Sequence, residues 1–209
     1  MTTIATEIRP QADTHSAIES GPRPYHMTVD VYDRLVDSGV FGDTSPIYLW
    51  KGQLVEPMTK GEPHEFALGE LNQTLVRLTG DRWHVRPSSP VRVLDDSKPE
   101  PDLVVLRGPN KDYRKRKPSL RDVAMLVEIS DSSLAHDSGD KREVYAIASI
   151  PLYWIVNIPN RRIDVYTRPT GPVEQPRFES CQSYGPDDEV PLVLDGSEVG
   201  RIAIKDVLL

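Results

Sequence analysis

Pro101-Asp102-Leu103-Val104-Val105-Leu106 and Val123-Ala124-Met125-Leu126-Val127-Glu128-Ile129-Ser130 are the two stretches on which the reading of this chain turns. Each holds an almost unbroken apolar run rich in β-branched residues, the pattern of a buried strand. Each also carries a carboxylate, Asp102 at the start of the first and Glu128 near the end of the second. On adjacent strands of one sheet, those two side chains can face a single magnesium ion, and the backbone carbonyl of Ile129 adds a third oxygen ligand. Glu128 interrupts its strand, and a carboxylate there is costly to bury without a partner or an ion. Asp102, directly after proline, is also compatible with the end of a turn.

Helix formers fill Asp137 to Ser149, and a third apolar strand follows from Leu152 to Ile158. Lys141, early in that helix, is the candidate cation for holding a water beside the two carboxylates. Asp137 lies four residues before it, which is equally the spacing of an exposed i,i+4 ion pair. Upstream, His64 to Thr79 places Phe66, Leu68, Leu71, Leu75 and Leu78 in steps of three and four, an amphipathic helix with His64 in its first turn and Gly80 at its stop.

Before it, Thr28 to Ser38 reads as a short helix ending at Gly39. Ile47 to Trp50 and Gln53 to Pro57 read as a hairpin around Lys51-Gly52. Trp83 to Pro87 and Val91 to Leu94 read as short strands. After the third central strand, Arg161 to Thr167 returns as a hairpin, with Arg161 and Arg162 in a solvated turn. Phe178 to Tyr184, Val190 to Leu194 and Val199 to Ile204 complete the set as peripheral strands. This order predicts an α/β fold with a mixed central β-sheet flanked by helices. There is no glycine-rich phosphate loop, which argues against nucleotide-cofactor folds, and no serine nucleophile elbow.

The chain has 209 residues, a net charge of −7 and one cysteine, Cys181. The length fits a polar, disordered tail over residues 1–24 followed by one domain over residues 25–209. A lone cysteine excludes an internal disulfide framework or a multi-cysteine zinc site and fits a reducing compartment. No apolar run approaches the roughly 20 residues that span a bilayer, and the start lacks a signal-peptide core, so a cytoplasmic location is expected. The acidic balance argues against a surface coated for nucleic acid but not against a local groove. Lys111, Arg114, Lys115, Arg116 and Lys117 crowd around Tyr113. That run is either a solvated loop or a phosphate-contacting one.

Pro101-Asp102 before an apolar strand, Val127-Glu128-Ile129-Ser130, Asp137-x-x-x-Lys141-x-x-x-Tyr145 and Tyr153-Trp154-Ile155-Val156 together resemble the Uma2 family, a branch of the PD-(D/E)XK nuclease superfamily. The likeness extends to Gly52-Gln53-Leu54-Val55-Glu56 and His64 and covers about Thr28 to Thr167. It implies a restriction-endonuclease-like core and cleavage of DNA dependent on Mg²⁺ or Mn²⁺. Asp102, Glu128 and the Ile129 carbonyl would be metal ligands and Lys141 the cation that positions water. His64 and Asp137 would be supporting polar groups at the rim.

In the superfamily the lysine stands two residues after the glutamate, where this chain has Ser130. Tyr48 and Gln53 stand in the early hairpin where an acidic residue is expected, and Asn157 ends the Tyr-Trp strand where the family has an acid. A catalytically silent DNA-binding or protein-interaction module on the same fold is the main alternative, and a hydrolase of smaller phosphoesters a third. Cutting both strands favours a homodimer, for which Val207-Leu208-Leu209 offers an apolar surface.

Overall fold

The strand Val123–Ser130 is buried along its whole length, and its side chains enter two apolar clusters. In the computed structural model, residues 23–42 and 46–208 are described. In chain order these are α1 (Val29–Asp37), the hairpin β1 (Tyr48–Trp50) and β2 (Gln53–Val55), α2 (Glu62–Thr79), β3 (Trp83–Pro87), β4 (Leu103–Arg107) and β5 (Val123–Ser130). Then follow α3 (Leu134–His136), a π-helical turn (Asp137–Lys141) and α4 (Arg142–Ile147). Strands β6 (Leu152–Asn157), β7 (Arg162–Pro169), β8 (Phe178–Tyr184), β9 (Glu189–Leu194) and β10 (Ser197–Ala203) complete the chain. The expected disordered tail falls outside the described residues except for its last two positions.

Six strands form the central sheet in the order β3-β4-β5-β6-β7-β8. Only β5 and β6 are parallel, so the sheet is mixed, and their crossover is the helical stretch from Leu134 to Ile147. Alternation along the central strands divides the core. Leu103, Val105, Met125, Val127, Trp154 and Val156 face α2 and the β9–β10 hairpin. Val104, Leu106, Leu126, Tyr153 and Ile155 face α4 and the Trp50 end of the early hairpin. Glu128, two residues beyond Leu126, follows the second face by strand periodicity. The six strands and their flanking helices are the α/β architecture that the sequence predicts.

Four expectations change. Val91 to Leu94 is not a regular strand. Val91 N–H and Val93 N–H bond to the Pro99 and Ser97 carbonyls, but Pro90 and Pro99 cannot donate, so the pairing shrinks to an isolated Leu94–Ser97 bridge. The crossover helix starts at Leu134, three residues before Asp137, and is α only at its ends. Its π turn has identifiable causes: the Ser138 hydroxyl donates to the Leu134 carbonyl (2.6 Å), the Tyr153 hydroxyl donates to the Asp137 carbonyl (3.0 Å), and Gly139 has little preference for the α-turn. Phe66 is largely exposed while Ala67 is buried, so the buried stripe of α2 is His64, Ala67, Leu71, Leu75 and Thr79. Finally, Val207 and Leu208 pack into the chain's own core beside Ile202 and Ile204, so they offer no interface to a second copy.

The β1–β2 turn shows how tightly the hairpin is set. Lys51 and Gly52 both have positive φ (47° and 74°), the geometry of a two-residue hairpin turn. Gly52 N–H donates to the Asp96 carbonyl (2.8 Å), Met27 N–H donates to the Gly52 carbonyl (3.0 Å), and a Cβ on Gly52 would run into the His26 ring. Gly52→Ala is therefore expected to destabilise the fold by about 1–2 kcal/mol, lowering the thermal midpoint by several degrees in circular dichroism. An unchanged midpoint would refute this account of the turn.

Candidate active site

A single pocket of about 220 Å³ opens where the start of β4 meets the end of β5, and Asp102, Glu128, Ile129, His64 and Lys141 all line it. Residues Pro57 to Gly61, Tyr48, Glu100 and His136 complete much of its wall. Sheet register explains the meeting. Leu103 pairs with Val127 in antiparallel fashion, so the residue before β4 falls level with the residues after Val127. The Asp102 carboxylate closes that corner by accepting the Ile129 N–H at 2.8 Å.

Asp102 is buried and has two further partners: Lys60 Nζ at 2.8 Å and His64 Nε2 at 3.2 Å, both on its Oδ1. Burial pushes its carboxyl up, but His64, Lys60 and the Ile129 N–H together outweigh that and hold it at about 2. The folded value lies below the ordinary 3.8, so these contacts add stability above pH 3.8 that is lost as pH falls toward 2. The gap corresponds to about 2 kcal/mol. In EDTA, Asp102→Asn is expected to destabilise the protein by about that amount at neutral pH and by much less near pH 2. Urea denaturation at the two pH values measures it, and a pH-independent loss would remove Asp102 as the source.

Glu128 sits deeper. Its Oε1 accepts the Tyr145 hydroxyl (2.7 Å) and its Oε2 meets Lys141 Nζ (3.0 Å). The same ammonium lies 3.0 Å from Asp137 Oδ1. Burial opposes the charge on Lys141, but Glu128 and Asp137 more than offset it and hold the lysine protonated. For Glu128, burial raises the carboxyl, Lys141 pulls it down, and Asp137 and Asp102 push it up again, with a net upward shift. One ammonium within 3.0 Å of two carboxylates favours the ionised arrangement. Negative charge is then in excess in the buried cluster.

Lys141 is thus no exposed i,i+4 partner, and Asp137 is not at the rim but almost wholly buried. Asp137 Oδ2 accepts the hydroxyls of Ser130 (2.8 Å) and Ser133 (2.6 Å). Ser130 therefore holds Asp137, and Asp137 holds Lys141. His64 is buried against Asp102, with its Nδ1 lacking a hydrogen-bond partner and 3.6 Å from Glu65 Oε1. Tyr48 lines the pocket, whereas Gln53 lies on the exposed hairpin. Asn157 is occupied elsewhere: its Oδ1 accepts the Asn160 N–H at the β6–β7 turn and its Nδ2 donates to Asp164. Arg162, expected in a solvated turn, pairs with the buried Asp164 at 2.9 Å.

Sequence reasoning missed Lys60, Glu100 and Tyr145 as site residues. Tyr145 had a signal, since it follows Lys141 by four residues on a helix. Glu100 had one too, a second carboxylate two positions before Asp102. Lys60 had none, because it belongs to an irregular segment between β2 and α2 that only the tertiary structure turns toward Asp102.

The donor chemistry fits a hard cation. Asp102 and Glu128 bring two carboxylates to one pocket, and Mg²⁺ takes one or two carboxylates and keeps several waters. Among the described residues no group of three or more His, Cys, Asp or Glu side chains is placed to hold a metal ion.

A mixed sheet with two carboxylates at one corner and a lysine from the crossover helix defines the restriction-endonuclease-like α/β class. Residues 30–197 match the Uma2 family, described as "Putative restriction endonuclease", and the chain belongs to that family. The fold is similar to the crystal structure of "a putative nuclease belonging to DUF820" from Anabaena variabilis ATCC 29413, with a TM-score of 0.64 and 16% identity over 87% of this chain and 97% of that one. No curated protein matches the sequence. Among the described residues no helix is long and apolar enough to cross a membrane.

Proposed function

We propose that this protein is an endonuclease that hydrolyses phosphodiester bonds in DNA with Mg²⁺ or Mn²⁺, using one domain over residues 25–209. The observation that carries the reading is the convergence of buried Asp102, Glu128 and Lys141 on one open pocket, each held by further hydrogen bonds or ion pairs. Asp102, Glu128 and the Ile129 carbonyl would hold the ion. Bound there, the ion supplies Lewis acidity that acidifies water and offsets charge on the phosphate oxygens.

The chain's own residues do the positioning. Tyr145 fixes Glu128 through Oε1, leaving Oε2 turned toward Lys141. The Lys141 ammonium holds the attacking water and balances the developing anion. Ile129 N–H and His64 fix the Asp102 carboxylate, while Lys60, half exposed at the pocket mouth, is free to pass from Asp102 to a substrate phosphate. A two-fold pair of chains would present one such site to each strand.

The test is cleavage of supercoiled plasmid with Mg²⁺, with Mn²⁺ and with EDTA. Nicking or linearisation that appears only with the ions supports the reading. No cleavage in any sample favours the alternative, a catalytically silent DNA-binding or protein-interaction module.

A further inference from the structure

The basic run after β4 takes no part in the site described above, yet it is built rather than loose. Tyr113 at its centre is buried, and its hydroxyl donates to the Arg107 carbonyl. Two guanidinium groups lie over its ring, that of Arg86 at 5.1 Å and that of Arg116 at 4.7 Å from the centroid. Arg116 pairs with both oxygens of Asp122 (2.6 and 2.9 Å), and Asp122 in turn accepts the Ser119 N–H at 2.7 Å. Arg86 and Arg116 are thereby used internally. Lys111, Arg114 and Lys115 remain exposed and, among the described residues, form no ion pair. Residues 111–115 thus carry three unpaired cations against one carboxylate, Asp112, on a chain of net charge −7.

Their place in the fold is equally particular. Tyr113 belongs to the same apolar cluster as Leu106, Leu126, Tyr145 and Tyr153, so the run lies on the face of the sheet that carries α4. Strand β4 connects the two places, with Asp102 before its start and the run after its end. Six residues from Asp102 to Gly108 span about 20 Å of extended chain.

We propose that Lys111, Arg114 and Lys115 bind the phosphate backbone of the same double-stranded DNA whose reacting phosphate enters the Asp102–Glu128 pocket. The inference rests on the nuclease reading, since it takes DNA as the ligand. The contacts are to phosphate, so they set position and affinity without selecting sequence.

The experiment compares wild type with the triple variant Lys111→Glu, Arg114→Glu, Lys115→Glu. Binding of a fluorescent duplex is followed by anisotropy in EDTA over a salt series, independently of cleavage. Losing three phosphate contacts is expected to reduce the slope of log K against log salt by about 2.7 and to weaken binding at least tenfold at about 0.1 M salt. The melting temperature, and hydrolysis of a small phosphodiester such as bis(p-nitrophenyl) phosphate in Mn²⁺, stay as in wild type.

Equal slopes in the two proteins, or no duplex affinity in wild type, overturn the proposal. So does a variant that loses binding to anionic vesicles while keeping duplex affinity. A lost salt slope in a protein that never cuts plasmid supports this surface and overturns the nuclease reading, so the two fail separately.

Discussion

Glu128→Gln is expected to reduce metal-dependent plasmid cleavage by on the order of 10²- to 10³-fold while leaving the protein folded. Glutamine fills the same volume, its carbonyl can accept from Lys141 at the Oε2 position, and its amide N–H can donate to the Tyr145 hydroxyl oxygen at the Oε1 position. What disappears is the charge that would hold the ion. The same substitution tests the electrostatics of the site without any activity.

Glu128 is pushed up from its ordinary 4.5 chiefly by burial, so the folded state binds the proton more tightly than the unfolded one. Stability from such a group is fully present below 4.5 and is lost as pH rises above it. The neutral glutamine carries no such penalty. In EDTA, the variant is therefore expected to gain thermal stability relative to wild type at about pH 8 and to show no gain at about pH 4. Cleavage that survives the substitution would remove Glu128 from the site, and a variant less stable at the higher pH would contradict the excess of negative charge.

The sequence made the central strands legible because they are buried on both faces and so read as unbroken apolar runs. It also singled out Asp102 and Glu128 as candidates, since a charged residue beside such a run demands an explanation, and Lys141 as a candidate through its place early in the helix that follows. The π turn was hidden, because its causes are hydroxyls from Ser138 and Tyr153 that replace or displace backbone bonds. No periodicity records that. The burial of Asp137 was hidden for a related reason: an Asp four residues before a Lys looks the same whether the pair faces water or the core. Ser130 illustrates the limit most directly. Read as the place where a lysine is missing, it proves, with Ser133, to donate to Asp137, which in turn pairs with Lys141.

Lys141→Ala is expected to destabilise the protein by about 3–5 kcal/mol at about pH 8, in addition to abolishing cleavage. The ammonium lies within 3.0 Å of both Glu128 Oε2 and Asp137 Oδ1, and its removal leaves two buried carboxylates facing each other with no cation between them. Tyr145 and the two serines still donate to them, but hydroxyl donors do not balance charge. The chain can relieve this only by taking up a proton. Loss of the lysine raises Glu128 further, so the variant's deficit should shrink as pH falls toward 4.5 and grow as pH rises. Urea denaturation in EDTA at about pH 5 and about pH 8 reads the difference, with Lys141→Met as a companion that restores packing volume without charge. If both variants lose the same free energy at the two pH values, the deficit comes from packing. Lys141 would then be a space-filler, and the charge balance that links it to Glu128 and Asp137 would have to be abandoned.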